Sequence, residues 1–231
     1  MLRGLDIVVL TALLLALGYI GFLHYRAHRT QRLLARTDDL TQIENRRAFY
    51  EGASREFERA RRYNHPFTLA YFDVDDFNEV SDRFGHQVGD GVLRLVADTA
   101  RESIRASDFV ARLGADQFAL LLPETGANAA SAVIRKLQEA LRHASRVTGM
   151  PLTVSGGVVT CLQPADSLET AIGTADRLLY GARHAGTDSF WFEVVAPQPL
   201  EAFEPARLRR PWRLPPAFDL SMPSPQDRRR G

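Results

Sequence analysis

The apolar positions first come as one uninterrupted run, Ile7 to Leu23, with no charged side chain in it and Tyr25 just beyond. As a helix rising 1.5 Å per residue, such a run reaches roughly 25 Å, the short end of a bilayer span. Arg26, Arg29, Arg32 and Arg36 follow at once, and basic residues flanking an apolar span stay on the cytoplasmic side. We read residues 1–25 as a transmembrane anchor, 26–36 as a basic stalk, and the chain beyond as cytoplasmic. A cleaved signal peptide is the rival reading, but Asp6 offsets Arg3 and no small-x-small cleavage site follows.

From Thr37 to about Val195 the pattern alternates between helical and extended periods. Phe49 and Phe57 among charged residues predict a helix over Arg46–Arg62. Phe67–Phe72 is a β-prone apolar run, ended by Asp73. Helices are predicted over Asp76–Phe84 and Val88–Ile104, the second with Val92, Leu93, Val96 and Ala100 at helical spacing. Two short strands, Phe109–Leu113 and Gln117–Leu122, flank Gly114 and Ala115 as a hairpin. A helix over Asn128–Ala144, a strand over Leu152–Val159, a helix over Leu168–Arg183 and a strand near Phe190–Phe192 complete the series. Helices alternating with strands around one hairpin give an α/β or α+β sandwich.

Composition then sets limits. From Pro197 onward prolines alternate with arginines, which cannot bury enough to fold, so residues 196–231 are expected to be a disordered tail. A net charge of +1 argues against nucleic acid as a partner. The lone Cys161 forms no internal disulfide, as suits a reducing compartment, and reads as a small strand residue.

Two carboxylates carry candidate chemistry. Asp73 ends a strand and Asp116 sits in the hairpin turn. With strand and hairpin adjacent in one sheet, both reach the same edge, an arrangement that holds Mg²⁺ against a triphosphate. An Asp at a strand end is also a common turn former.

At this point a resemblance enters. Asp39-Leu40-Thr41 with Asn45-Arg46-Arg47, Asp73-Val74-Asp75-Asp76-Phe77, Phe84-Gly85-His86-Gln87-Val88-Gly89-Asp90 and Arg112-Leu113-Gly114-Ala115-Asp116-Gln117-Phe118 occur in the order of the GGDEF signature blocks. Leu152–Val158 and Ala175-Asp176 with Leu179-Tyr180 continue it. The chain from Thr37 to about Phe192 resembles the GGDEF (diguanylate cyclase) family. The resemblance implies a palm-like nucleotide-cyclase fold, with a central, mostly antiparallel sheet flanked by helices. It implies a bacterial protein that joins two GTP into cyclic di-GMP, with two pyrophosphates leaving, across a homodimer using Mg²⁺ or Mn²⁺; with the anchor read above, the expected location is the inner membrane. By the same resemblance Asp73, the Val74 carbonyl and Asp116 hold metal. Asp90 and Ser81 face guanine, Gly114 and Ala115 line the nucleotide, and Arg183 stands at a phosphate-binding Lys. His86 reads as a structural, hydrogen-bonding histidine.

The departures point away from turnover. Gln117 replaces the signature glutamate, and a neutral amide is neither a base nor a good ligand for a hard cation. Ala115 replaces the second glycine, at a cost if the turn needs positive φ. Ser81 replaces an Asn, Asn78 a frequent Lys, Thr187 a frequent phosphate-binding Arg and Gln42 a Gly. Arg105-Ala106-Ser107-Asp108, by contrast, stands in the register of the family's inhibitory cyclic di-GMP site, with Arg135 or Lys136 as a candidate second cation. A local helix-end salt bridge is the other reading of that pattern. The expectation is a catalytically degenerate, membrane-anchored protein that binds cyclic di-GMP or GTP. The alternatives are a working but slow cyclase and a non-catalytic membrane interaction module.

Overall fold

The computed structural model describes residues 14–22, 35–163 and 167–195. Eleven elements follow in order: β1 (Glu44–Asn45), α1 (Arg46–Tyr63), β2 (Phe67–Val74), α2 (Phe77–Phe84), α3 (His86–Ser103), β3 (Phe109–Gly114), β4 (Gln117–Pro123), α4 (Ala127–Thr148), β5 (Val154–Cys161), α5 (Leu168–Ala185) and β6 (Phe190–Val195). The strands form one six-stranded sheet in the order β1-β3-β4-β2-β5-β6. The three inner pairings are antiparallel, and the two edge pairings, β1 with β3 and β5 with β6, are parallel. The fold is mixed α/β, a sheet flanked by helices.

Strand parity divides the core. Ala70, Phe72 and Val74 of β2, with Phe118, Leu120 and Leu122 of β4, pack against Val92, Leu93 and Val96 of α3 and Ile134, Leu137 and Leu141 of α4. Phe67, Leu69 and Tyr71, with Ala119 and Leu121, pack against Phe49, Ala53 and Phe57 of α1 and Ala171, Ala175 and Leu179 of α5. Burying a large apolar side chain stabilises by about 1.5–3 kcal/mol, so these two half-cores carry the fold. Cys161 lies buried at the end of β5.

Several predicted bounds shift for identifiable reasons. β2 runs on to Val74 because Asp73 and Val74 continue the ladder to β5, so Asp73 lies inside the strand instead of ending it. α4 continues to Thr148 and stops at Gly149, whose φ of +70° supplies the left-handed cap. α3 starts at His86, and α2 follows Asp76, a non-glycine residue at φ +51°. The two-residue β1 has no periodicity to announce it.

Residues 14–22 are helical, and Leu14, Leu15, Leu17, Ile20 and Phe22 are exposed. Among the described residues no helix is long and apolar enough to cross a membrane. The rest of the predicted anchor, most of the stalk and the predicted tail lie outside the described residues.

Candidate functional site

Asp73 keeps the odd register of β2 and therefore faces the α1/α5 side of the sheet, and Gln117 shares that side with Ala119 and Leu121 of β4. The two are direct cross-strand partners. On the neighbouring strand, Gly157 lets α5 press onto the sheet. A Cβ there would fall 2.3 Å from the Ala175 carbonyl oxygen and 2.5 Å from Leu178 Cβ. That close approach brings the last turn of α5 over the strand end, where Arg183 Nη1 donates to Asp73 Oδ2 at 2.6 Å.

The electrostatics are unbalanced. Asp73 is only 4% exposed, and its Oδ1 has no hydrogen-bond partner among the described residues. Burial pushes its pKa up to about 6, and the Asp116 carboxylate adds to the rise. Arg183 and the facing Gln117 amide pull the other way. A hard cation against Oδ1 would satisfy the orphaned oxygen and offset both negative charges, so Asp73 and Asp116 suit Mg²⁺ or Mn²⁺. Among the described residues no group of three His, Cys, Asp or Glu is placed to hold a metal; an ion here would complete its shell with water or phosphate oxygens. Gln117, Tyr180, Arg183 and His184 line a cavity of about 500 Å³ beside Asp73. The Tyr180 and His184 rings meet there at a 40° tilt with centroids 4.2 Å apart.

The hairpin turn is strained and braced. Gly114 has φ +154° and Ala115 has φ +36°, a left-handed conformation that costs an alanine roughly 1–2 kcal/mol. Arg112 Nε and Nη2 donate to the Ala115 carbonyl at 2.9 and 2.6 Å. Its Nη1 donates to Asp38 Oδ1 at 3.1 Å, and Asp38 also accepts from the Thr41 N–H and hydroxyl at 2.9 and 2.7 Å. Neither Asp38 nor the bracing role of Arg112 was singled out from sequence. The Asp38-x-x-Thr41 spacing, which lets the carboxylate accept from the residue three positions on, was the available signal.

Ser81 packs against Gly89, the residue before Asp90, on the other face of the sheet, where α2 meets α3. A Cβ on Gly89 would sit 2.5 Å from Ser81 Oγ, so the missing side chain is what brings Ser81 against the first turn of α3 beside Asp90. Both are half-buried and Asn78 is exposed. His86 is exposed and no hydrogen bond of its ring is found among the described residues, which corrects the structural role expected of it. Thr187 is exposed on a loop pinned by its neighbour. The Asp188 N–H donates to Asp75 Oδ2 at 2.8 Å and Arg142 Nε donates to Asp188 Oδ2 at 2.5 Å. This anchor too was missed, since nothing in the linear sequence joins Asp75, Arg142 and Asp188.

Arg105 and Asp108 lie in the turn between α3 and β3. The Asp108 carboxylate accepts from the Arg105 N–H at 2.9 Å and Ser107 Oγ at 3.2 Å. The Arg105 guanidinium makes no ion pair among the described residues; it is exposed and lines a cavity of about 470 Å³ with Glu56, Arg59, Ser107 and Glu124. Arg59 of α1, which lines the same cavity, donates to Glu124 Oε1 at 2.6 Å. Lys136 Nζ is engaged by the Glu102 carbonyl at 2.8 Å, and Arg135 lies 4.0 Å from Glu139.

Comparison with known proteins gives this geometry a family. The family described as diguanylate cyclase, GGDEF domain, matches residues 35–189. The chain is 35% identical over 160 residues to the diguanylate cyclase DgcP of Pseudomonas aeruginosa, covering 68% of this chain and 24% of that protein. Among solved structures it is similar to the coiled coil and GGDEF domain of DgcB from Caulobacter crescentus in complex with cyclic di-GMP, at TM-score 0.62 and 31% identity over 78% of this chain and 97% of that one. It is also similar to the diguanylate cyclase SiaD of P. aeruginosa in complex with its activator SiaC, at TM-score 0.64 and 29% identity over 78% and 73%. The chain thus spans about a quarter of the length of DgcP. With its sheet, signature hairpin and sequence in agreement, the chain belongs to the GGDEF, diguanylate cyclase, family.

Proposed function

We propose that this protein works in cyclic di-GMP signalling as a nucleotide-binding GGDEF domain with severely reduced turnover, tethered to the bacterial inner membrane with its domain in the cytoplasm. The observation that carries the reading is the pairing of Asp73 with Gln117. An amide stands directly across the ladder from the buried carboxylate, at the position of the signature glutamate. A positioned base is typically worth about 10²–10⁴ in rate, and Gln supplies none.

The remaining groups suit binding. Asp73, the Val74 carbonyl and Asp116 would hold Mg²⁺ or Mn²⁺, which when bound neutralises phosphate charge and polarises the α-phosphate. Asp90 offers a carboxylate to the guanine N–H edge, with Ser81 beside it. Arg183 is exposed enough to reach phosphate oxygens. Gly114 and Ala115 form the turn that borders the nucleotide. A cyclase-type reaction would need a second copy of the domain to bring the other GTP, so a homodimer belongs to the same proposal.

The turn at Arg105 and Asp108 supports a cyclic di-GMP site. Arg105 brings an exposed guanidinium to a cavity that Arg59, paired with Glu124 at 2.6 Å, also lines, and a guanidinium suits a ligand with phosphates and guanine edges. The apolar run Ile7–Leu23, of which the helix at 14–22 exposes its large side chains, supports the anchor.

The test is nucleotide analysis after incubating the protein with GTP and Mg²⁺, alongside calorimetry with cyclic di-GMP. Little product, with cyclic di-GMP binding that Arg105→Ala weakens about tenfold to a hundredfold, is the expected result. Turnover equal to that of a relative with an intact signature would overturn it.

A further inference from the structure

Granted the nucleotide site proposed above, we infer that Arg183 is an internal counter-cation for Asp73, one that phosphates must draw off before the carboxylate takes a divalent ion with full affinity. The geometry is asymmetric. Asp73 sits on the central strand, hydrogen-bonded on both sides through the ladder, with a side chain 6% exposed; Arg183 ends a helix with a side chain 56% exposed. The carboxylate is therefore fixed and the guanidinium is the mobile partner. Their 2.6 Å contact occupies Oδ2, while Oδ1 is buried and has no hydrogen-bond partner among the described residues.

A metal ion arriving alone meets a carboxylate already neutralised by a guanidinium. It must accept Oδ1 with a positive charge close by, or displace the arginine into water with no new partner. A nucleotide changes that balance, because its phosphates are the kind of acceptor that guanidinium groups pair with in bidentate fashion. Moving Arg183 from Asp73 to phosphate frees Oδ2 for the ion. By linkage, whatever phosphate does for the metal, the metal does for phosphate. Arg183 thus couples the two ligands and suppresses metal binding in the nucleotide-free protein. A lysine, with a compact charge and no planar fork, would pair less rigidly with the same carboxylate.

The test reads Mn²⁺ binding to the full-length chain without nucleotide, by electron paramagnetic resonance or calorimetry, and GTP binding at saturating Mg²⁺. Arg183→Ala is expected to tighten Mn²⁺ about tenfold, the equivalent of one charge-assisted contact, while weakening GTP. Asp73→Asn should remove the Mn²⁺ signal. Arg177→Ala, which deletes another exposed arginine on α5 paired with Glu193 at 2.8 Å, should leave Mn²⁺ affinity unchanged. A purely structural role for Arg183 would loosen both ligands together. Mn²⁺ affinity unchanged or weakened in Arg183→Ala, or tightened equally by Arg177→Ala, overturns the inference while wild-type GTP binding leaves the nucleotide site standing. Absence of GTP binding to the wild type overturns both.

Discussion

Arg112 and Asp38 are 74 positions apart and meet at 3.1 Å, so that one guanidinium holds both the signature turn and the segment leading into the domain. The Arg112 side chain is only 13% exposed and that of Asp38 is 24% exposed. Burial would raise the Asp38 pKa, but its bonds from Thr41 and Arg112 outweigh that and hold it below the usual carboxylate value. Arg112→Ala leaves the Ala115 carbonyl and Asp38 without their shared donor. We expect it to cost roughly 1.5–3 kcal/mol in urea unfolding, and Arg112→Lys to recover only part, since lysine lacks the fork.

Ala115 offers the opposite case. At φ +36° it pays for a conformation that glycine adopts freely, while glycine adds entropy to the unfolded chain. Ala115→Gly should stabilise the domain by about 0.5–1 kcal/mol, seen as a raised urea midpoint at unchanged slope.

The raised pKa of Asp73 fixes a pH dependence with a definite sign. The folded state holds the proton to about pH 6, whereas the unfolded chain releases it near 3.9. Between those values the native state binds more protons, so stability falls as pH rises from about 4 to 6. At pH 7 the ionised group costs up to about 3 kcal/mol relative to acid conditions. Comparing wild type with Asp73→Asn isolates this: the wild type should lose stability on going from pH 5 to 7 by more than the variant does.

Gln117→Glu places a third carboxylate beside Asp73 and Asp116. Without metal it should lower the melting temperature, by like-charge repulsion across a directly facing pair. With Mn²⁺ or Mg²⁺ the loss should reverse, and metal affinity should rise over the wild type. Combined with Ala115→Gly it should raise cyclic di-GMP production from GTP, measured under matched conditions. No gain in either metal affinity or product would show that Gln117 is not what limits the site.

How far the sequence could be read is clearest at individual residues. Helices announced themselves through periodicity, as at Val92, Leu93 and Val96, and the hairpin through Gly114. Asp73 was found as a chemical residue but misplaced as a strand end, because polarity marks where apolar burial stops and not where the ladder stops. The partners of Arg112, Asp188 and Arg59 were invisible, since each joins segments far apart in the chain and no linear pattern encodes a crossing. For Arg183 the residue type suggested phosphate, while the structure adds its hold on Asp73, which depends on α5 lying close over Gly157.

The division of the core by strand parity has a mechanical consequence. Ser81 and Asp90 belong to the layer of α2 and α3, whereas Asp73, Gln117 and Arg183 belong to the layer of α5, with the sheet between them. A nucleotide reaching from Asp90 to Arg183 would pass over the end of the inner strands and act as a staple between layers on opposite faces of the sheet. Its occupancy would then be felt as resistance to peeling of either helical layer, so slowed amide exchange in both α3 and α5 would be the signature of a filled site.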